Sequence, residues 1–384
     1  MSTVELGCER LLADPARHLG GARVGLLTNP SGIGRDLRTT IERFDEHPAV
    51  ELVALFGPEH GVRGEAQAGE HVAASRDPRS GLPIHSLYGD TRSPTAEMLA
   101  DVDVIVVDLQ DIGVRYTTYL STLAYVISAC AMHETEVVIL DRPNPLGGTT
   151  VRGNILERGF ASFVGVHTMP ILHGLTIGEF GRLWARDKAL PDPTVVTMRG
   201  WNRDRYYDDT SLPWVLPSPN LPTLDSVLVY PATCLFEGTN LSEGRGTTRP
   251  FELFGAPWID PDALAAELRS LDPPGVGFRP VFFTPSFSKH AGQRCGGVQL
   301  HITARRALES VELGVQLLRV VSRIAPDRFS WLSPTDGHFF TDLLCGTDQV
   351  RQAIDARADV RPILDRWATE SRAFDEARAD ILLY

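Results

Sequence analysis

The chain has 384 residues, and 37 Lys+Arg against 49 Asp+Glu leave a formal net charge of −12. At 43% hydrophobic and 22% charged residues it is globular in composition rather than disordered, and long enough for two domains. The acidic balance argues against a surface built for nucleic-acid phosphates, and no stretch approaches the roughly 20 uninterrupted apolar residues of a membrane helix.

In chain order, residues 1–5 lack the basic start and apolar run of a signal peptide. The chain as it stands is therefore expected in the cytoplasm, or outside it if an export segment has been removed. Short apolar runs at 23–28, 50–56, 102–109, 136–140 and 194–198 read as buried strands, and 102–109 (VDVIVVDL) is the clearest because a continuous β-branched run suits a strand covered on both faces. Helical patterns lie between them at 39–44, 94–100, 118–133 and 176–190. Thr176 followed by Glu179 forms a capping-box signal for the last. This alternation predicts an α/β fold with a Rossmann-like, mainly parallel sheet whose reactive groups sit beyond the carboxyl ends of the strands. From Trp201 to Pro231 the pattern breaks into a Trp/Tyr/Pro/Asn-rich crossing. Strands at 277–283 and 297–303, a helix at 307–324 and a helical region from about Thr347 suggest a smaller α+β second domain. The expected division is 1–232 and 233–384, with a cleft between. Five scattered cysteines, an odd number, form neither a disulfide framework nor a zinc ligand set, so no metal or cofactor is expected.

The chain has no Walker loop, no G-x-G-x-x-G after the first strand, no H-E-x-x-H and no G-x-S-x-G. What remains is polar residues where strands end. Gly57-Pro58-Glu59-His60-Gly61-Val62-Arg63-Gly64-Glu65 places two carboxylates, a His and an Arg on a tight loop. A carboxyl partly desolvated in such a loop can donate a proton near neutrality, and an adjacent His could tune or relay it; a solvated turn is the competing explanation. Asp108 near the end of 102–109 is followed by Gln110, Asp111, Arg115, Tyr116 and Tyr119. Either aspartate could cap the following helix, and Asp111, farther past the apolar run, is the better site candidate. Asn144, between two prolines, and His173, at a helix entry, could reach the same rim or serve only structure. The segment 235–248 carries Glu237, Asn240, Glu243 and Arg245 at the expected domain junction, where ligand clefts favour forming. Aromatics at Tyr88, Tyr116, Tyr119, Trp201, Trp214, Tyr230 and Trp258 suit the apolar C–H faces of sugars, although core packing explains any one of them as well.

Taken together, LLTNPSGI, LFGPEHGVRGEAQAGE, SLYGDTRSPT, DLQDIGVRYTTYLSTL, ILDRPNPLGG, MPILHGLTIGE, PSPNLPT (which holds Asn220) and FEGTNLSEGRGTTRPFELFGAPW resemble the exo-β-N-acetylmuramidases, in the same order from about Val24 to Trp258. The resemblance implies release of N-acetylmuramic acid from the non-reducing end of peptidoglycan fragments, so the expected partners are peptidoglycan-derived disaccharides or oligosaccharides. Neither nucleic acid nor membrane is expected as a partner, and a homodimer is an open expectation. Glu59 matches the family's suspected acid, with Glu243, Glu237 or Asp111 as the second group and His60 beside the acid. Glycosidic cleavage would then proceed by enzyme attack, water activation or participation of the sugar's acetamido group. Arg63, Arg115 and Arg245 are the expected readers of the muramyl lactyl carboxylate. Gln110, Tyr116, Asn144, His173, Asn220 and Asn240 complete the expected substrate contacts. A non-catalytic muropeptide- or sugar-binding module, or another carbohydrate hydrolase such as a deacetylase or amidase, are the alternatives.

Overall fold

The computed structural model describes residues 3–64 and 66–384, so Glu65 of the expected loop lies outside the described residues. Strands β1 (Arg23–Thr28), β2 (Glu51–Gly57), β3 (Ser75–Arg76), β4 (Pro83–Ser86), β5 (Val104–Asp108), β6 (Glu136–Leu140) and β7 (Thr194–Val196) form one sheet in the order β3-β4-β2-β1-β5-β6-β7. Every pairing is parallel except β3 with β4. Every residue of β5 is buried, as its unbroken apolar run requires of a central strand covered on both faces. Thr118–Met132 and Ile177–Lys188 contribute to the core on one face, and Gly7–Ala13 and Thr40–Asp45 to that on the other. The Thr176 hydroxyl accepts from the Glu179 N–H while the Glu179 carboxylate accepts from the Thr176 N–H, which closes the expected capping box.

The chain builds β2 and β4 on one side of β1, then crosses to its other side for β5. The switch point therefore lies between β1 and β5, where crevices open beyond the strand ends in such sheets. The loops after β2 and β5 carry Glu59 and Asp111.

A second, antiparallel sheet follows, β8 (Leu253–Ala256), β9 (Val276–Phe283) and β10 (Cys295–Ile302), in the order β8-β10-β9. The helix Ser310–Ile324 packs on Leu224–Thr233, and both feed one apolar core with Phe254, Val298 and Leu300. Ile112, Val114 and Tyr116, from the loop after β5, enter that core too and lock the two halves together. No helix among the described residues is long and apolar enough to cross a membrane.

Candidate active site

A cavity of about 500 Å³ opens where the loops beyond β2 and β5 meet the segments 217–251 and 340–344. That size falls within the roughly 300–1,000 Å³ of small-molecule sites. Glu59, His60, Tyr88, Arg92, Tyr116, Thr118, Tyr119, Phe163, Tyr230, Glu237 and Arg245 are all on its wall.

Glu59 is nearly buried, and its carboxylate is held at both oxygens. Oε1 accepts from the Gly69 N–H at 2.9 Å, and Oε2 accepts from the Thr118 hydroxyl at 2.6 Å. The Tyr88 hydroxyl lies against the same carboxylate; burial and that negative charge push its pKa up to about 12. Beside Glu59, His60 adopts φ +74°, a left-handed conformation rare outside glycine, and its Nδ1 donates to the Ala66 carbonyl at 2.9 Å. Burial holds the imidazole below its ordinary pKa against the opposing pull of Glu59. Phe251 (φ +64°) and Ser288 (φ +66°) line the same cavity in the same strained region. Such residues cost about 1–3 kcal/mol each and gather at functional sites.

Across the cavity, Arg245 bridges two carboxylates, with Nη2 2.9 Å from Glu237 Oε1 and Nη1 3.1 Å from Glu243 Oε1. The two acids are not equivalent. Glu237 reaches the cavity wall, with Oε1 also accepting from Cys234 Sγ at 3.2 Å. Glu243 is sealed behind it, its side chain 1% exposed and ion-paired with Lys289 Nζ at 3.0 Å. Burial would raise the Glu243 carboxyl, but Lys289 and Arg245 outweigh it and hold the pKa below the usual range. Glu243 is thus a buried anion that positions Arg245.

Of the residues singled out from the sequence, the structure therefore brings together Glu59, His60, Tyr88, Tyr116, Tyr119, Tyr230, Glu237 and Arg245. Tyr116 contributes its ring only, since its hydroxyl donates to the Pro231 carbonyl at 2.6 Å. Asp111 lies one residue behind the wall at Ile112, its Oδ2 accepting from the Gly113 N–H at 2.7 Å and 3.8 Å from His173 Nε2. Burial, only partly opposed by that N–H bond, pushes Asp111 up to about 7, and burial with nearby arginines pushes His173 down to about 3. Neither Asp108 nor Asp111 caps the helix at Thr118: Asp108 is buried against Arg142, whose Nη2 is 2.9 Å from Oδ2.

Other side chains are committed to the fold. Arg63 pairs with buried Asp77; burial would raise that carboxyl, but the bonds from Arg63 and Ser80 hold it down at about 2. Arg115 is fully buried and donates to the carbonyls of Asn154, Met169, Leu344 and Cys345. Gln110 Nε2 donates to the Asp111 and Pro143 carbonyls. The Asn144 amide takes the structural alternative: it donates to the Leu175 carbonyl and accepts from the Leu146 N–H. Asn240 is tied to 328–330 on both sides of its amide. Asn220 Nδ2 points at Gln67 Oε1 at 3.4 Å, bracing the loop that carries Glu59. Trp201 packs edge-on against Tyr384, and Trp214 against Tyr207, away from the cavity.

Sequence reasoning passed over Thr118, Arg92 and Phe163. Thr118 sits in YTTYL and reads as an ordinary helix start, and Arg92 sits in SLYGDTRSPT as one more polar loop residue. Only the fold carries Thr118 to Glu59 and Arg92 to the wall of the same cavity.

Two family models, described as exo-β-N-acetylmuramidase NamZ, N-terminal and C-terminal, match residues 24–225 and 228–384. The peptidoglycan β-N-acetylmuramidase NamZ of Bacillus subtilis (strain 168) is 46% identical over 382 residues, which cover 99% of this chain and 91% of that protein. A crystal structure of a DUF1343 family protein from Bacteroides fragilis superposes with a TM-score of 0.91 at 37% identity, covering 99% of both chains. A second DUF1343 family protein from that organism gives 0.78 at 30% identity, covering 100% of this chain and 99% of the other.

Proposed function

This chain belongs to the exo-β-N-acetylmuramidase NamZ family, and from that premise we propose that it is an exo-acting glycoside hydrolase with Glu59 as general acid. It releases N-acetylmuramic acid from the non-reducing end of peptidoglycan-derived disaccharides or oligosaccharides. The observation that carries this reading is two carboxylates, Glu59 and Glu237, on the wall of one cavity of sugar-sized dimensions.

Cleaving a glycosidic bond needs a proton for the departing oxygen and a second group at the anomeric carbon. The Thr118 and Tyr88 hydroxyls can donate or accept, so they serve Glu59 whether it is protonated or ionised; only the Gly69 N–H is a fixed donor. That lets one carboxyl give up its proton and take another within a turnover. Glu237 takes the second position in preference to Glu243 and Asp111, because it alone of the three reaches the cavity. Held by Arg245 at 2.9 Å, it either acts at the anomeric carbon, directly or through water, or orients the substrate's acetamido group. The rings of Tyr116, Tyr119, Phe163 and Tyr230 offer apolar surface for the C–H faces of the sugar.

The test is turnover of a chromogenic β-N-acetylmuramide by the wild type, Glu59→Gln and Glu237→Gln. Glu59→Gln should lose roughly 10²–10⁴-fold in kcat while still binding the sugar. Binding without turnover by the wild type would select the non-catalytic module. Full activity in Glu59→Gln would remove the proposed acid.

A further inference from the structure

N-acetylmuramic acid differs from N-acetylglucosamine by one lactyl ether, and that ether ends in a carboxylate. A site that prefers the muramyl ring must present a positive group not already neutralised by the protein. Among the described residues, three basic side chains line the cavity: His60, Arg92 and Arg245. Arg245 is matched by two carboxylates, Glu237 and Glu243. His60 is buried, its Nδ1–H is spent on the Ala66 carbonyl, and burial disfavours its charged form.

Arg92 differs from both. Its guanidinium lies 4.2 Å from the Phe163 ring centroid and 5.4 Å from that of Tyr88, and among the described residues no carboxylate pairs with it. The nearest acid in sequence, Asp90, is exposed and turned to His71 at 3.2 Å. Stacking on ring faces occupies the plane of the guanidinium but leaves its N–H edge open, and that edge is what a carboxylate takes in bidentate fashion. The platform is fixed in advance. Tyr88 and Phe163 pack at 5.7 Å, Tyr125 backs Phe163 at 5.8 Å, and the Phe163 carbonyl accepts from the Ser121 hydroxyl at 2.7 Å. Tyr88 also links the two functions, its ring under Arg92 and its hydroxyl on Glu59. One tyrosine therefore bridges the acid and the open guanidinium, and on a muramyl ring the anomeric carbon and the O3 lactyl ether are carried by the same pyranose with only C2 between them.

We propose that Arg92, stacked on Phe163 and Tyr88, binds the lactyl carboxylate and is the residue that makes the site prefer muramyl over glucosaminyl rings. This rests on the muramidase reading above and replaces Arg63 and Arg115, which are spent elsewhere, and Arg245, which is neutralised.

The experiment measures binding of free N-acetylmuramic acid, its lactyl methyl ester and N-acetylglucosamine by calorimetry, to the wild type, Arg92→Ala and Arg92→Lys. The wild type should bind the acid roughly 10–100-fold more tightly than the ester, the range expected of charge-assisted hydrogen bonds. In Arg92→Ala that ratio should fall to about 1, while affinity for the ester and for N-acetylglucosamine changes by less than about 3-fold; Arg92→Lys should keep an intermediate ratio. Three results would overturn the proposal: equal wild-type affinity for acid and ester, a ratio that survives Arg92→Ala, or parallel loss of all three ligands, which is what a purely structural platform gives. Failure of the muramidase reading would register separately, as a wild type that does not turn over the chromogenic muramide.

Discussion

Asp111 and His173 illustrate how a residue can have the chemistry of a catalyst without its place. A carboxyl pushed up to about 7 is what a general acid needs, yet burial is the dominant cause and the side chain sits behind Ile112 rather than on the cavity wall. His173 Nδ1 accepts from the Leu175 N–H at 3.1 Å, so a neutral ring carries its proton on Nε2, facing Asp111. Because the folded-state pKa of Asp111 is raised above its ordinary 3.8, the native state keeps a proton that the unfolded chain has already released. Stability is therefore lost as pH rises from about 4 to about 7, and the whole cost is present above that. His173 acts oppositely: its lowered pKa, about 3, makes the fold lose stability as pH falls below 6.5. An Asp111→Asn variant has no charge to bury and keeps His173, so only the aspartate's contribution changes. Between pH 5 and pH 8 its stability relative to the wild type should improve by about 1–3 kcal/mol in urea denaturation. An unchanged gap between the two proteins at both pH values would mean that Asp111 ionises freely in the fold.

Arg115 shows the same displacement of role at the level of elements. It looks like a ligand-binding arginine at a strand end, but it reaches inward to four backbone carbonyls, two of them at Leu344 and Cys345 in the second half. Gly346 makes room for it: its φ of +69° suits glycine, and a Cβ there would lie 2.7 Å from Arg115 Nη2. Arg115→Met preserves length and apolar bulk but takes the guanidinium from four buried carbonyls, of which that of Met169 keeps the Leu156 N–H at 3.4 Å, so it should cost about 3–5 kcal/mol, read as a shift in the urea midpoint. A loss below about 1 kcal/mol would mean that those carbonyls find other donors. Elements were legible wherever one local signal dominated. The β-branched run of β5 and the Thr176–Glu179 box each override their surroundings. The edge strands β3 and β4 and the strand β8 are two to four residues long and are held by pairing rather than by composition. The helix Leu224–Thr233 carries Pro231 in its interior, which hid it in the expected crossing. The site follows the same logic. Glu59, Glu237 and Arg245 stand in glycine-bordered motifs, whereas Thr118 matters through Glu59, and Arg92 through Tyr88 nearby and Phe163 far away in sequence.

At the scale of the molecule, the chain leaves the parallel sheet after β7, builds the second half, and returns. The helix Arg361–Ala377 runs back to the first half, and residues 381–384 close on it. The Tyr384 hydroxyl donates to Asp141 Oδ2 at 2.8 Å and accepts from the Met198 N–H at 2.7 Å, and its ring meets Trp201 edge-on at 5.0 Å. The Leu383 N–H donates to Glu179 Oε1 at 2.7 Å, and Arg203 Nε reaches the Tyr384 carbonyl at 3.1 Å. The tail thus covers Asp141, a carboxyl that burial and then Glu179 push up to about 7. The second half is therefore fastened to the first at several places, among them the Arg115 loop, this tail, and Ser371 and Arg378 on the carbonyls of Gly153, Gly148, His173 and Gly174, which is why the molecule should unfold as one unit. Removing residues 381–384 takes away four hydrogen bonds to first-half side chains, those of Arg182, Asp141, Glu179 and Arg203, together with the one from the Met198 N–H, and bares the Asp141–Glu179 pair. The expected loss is about 2–5 kcal/mol. Tyr384→Phe, which gives up only the hydroxyl, should lose about 1–3 kcal/mol. Calorimetry of the truncated chain should resolve two transitions where the intact chain gives one, with the parallel-sheet half melting first because it alone loses a contact to its core strands. A single transition at the intact chain's temperature would put the coupling in the Arg115 loop and the Ser371 and Arg378 contacts rather than in the tail.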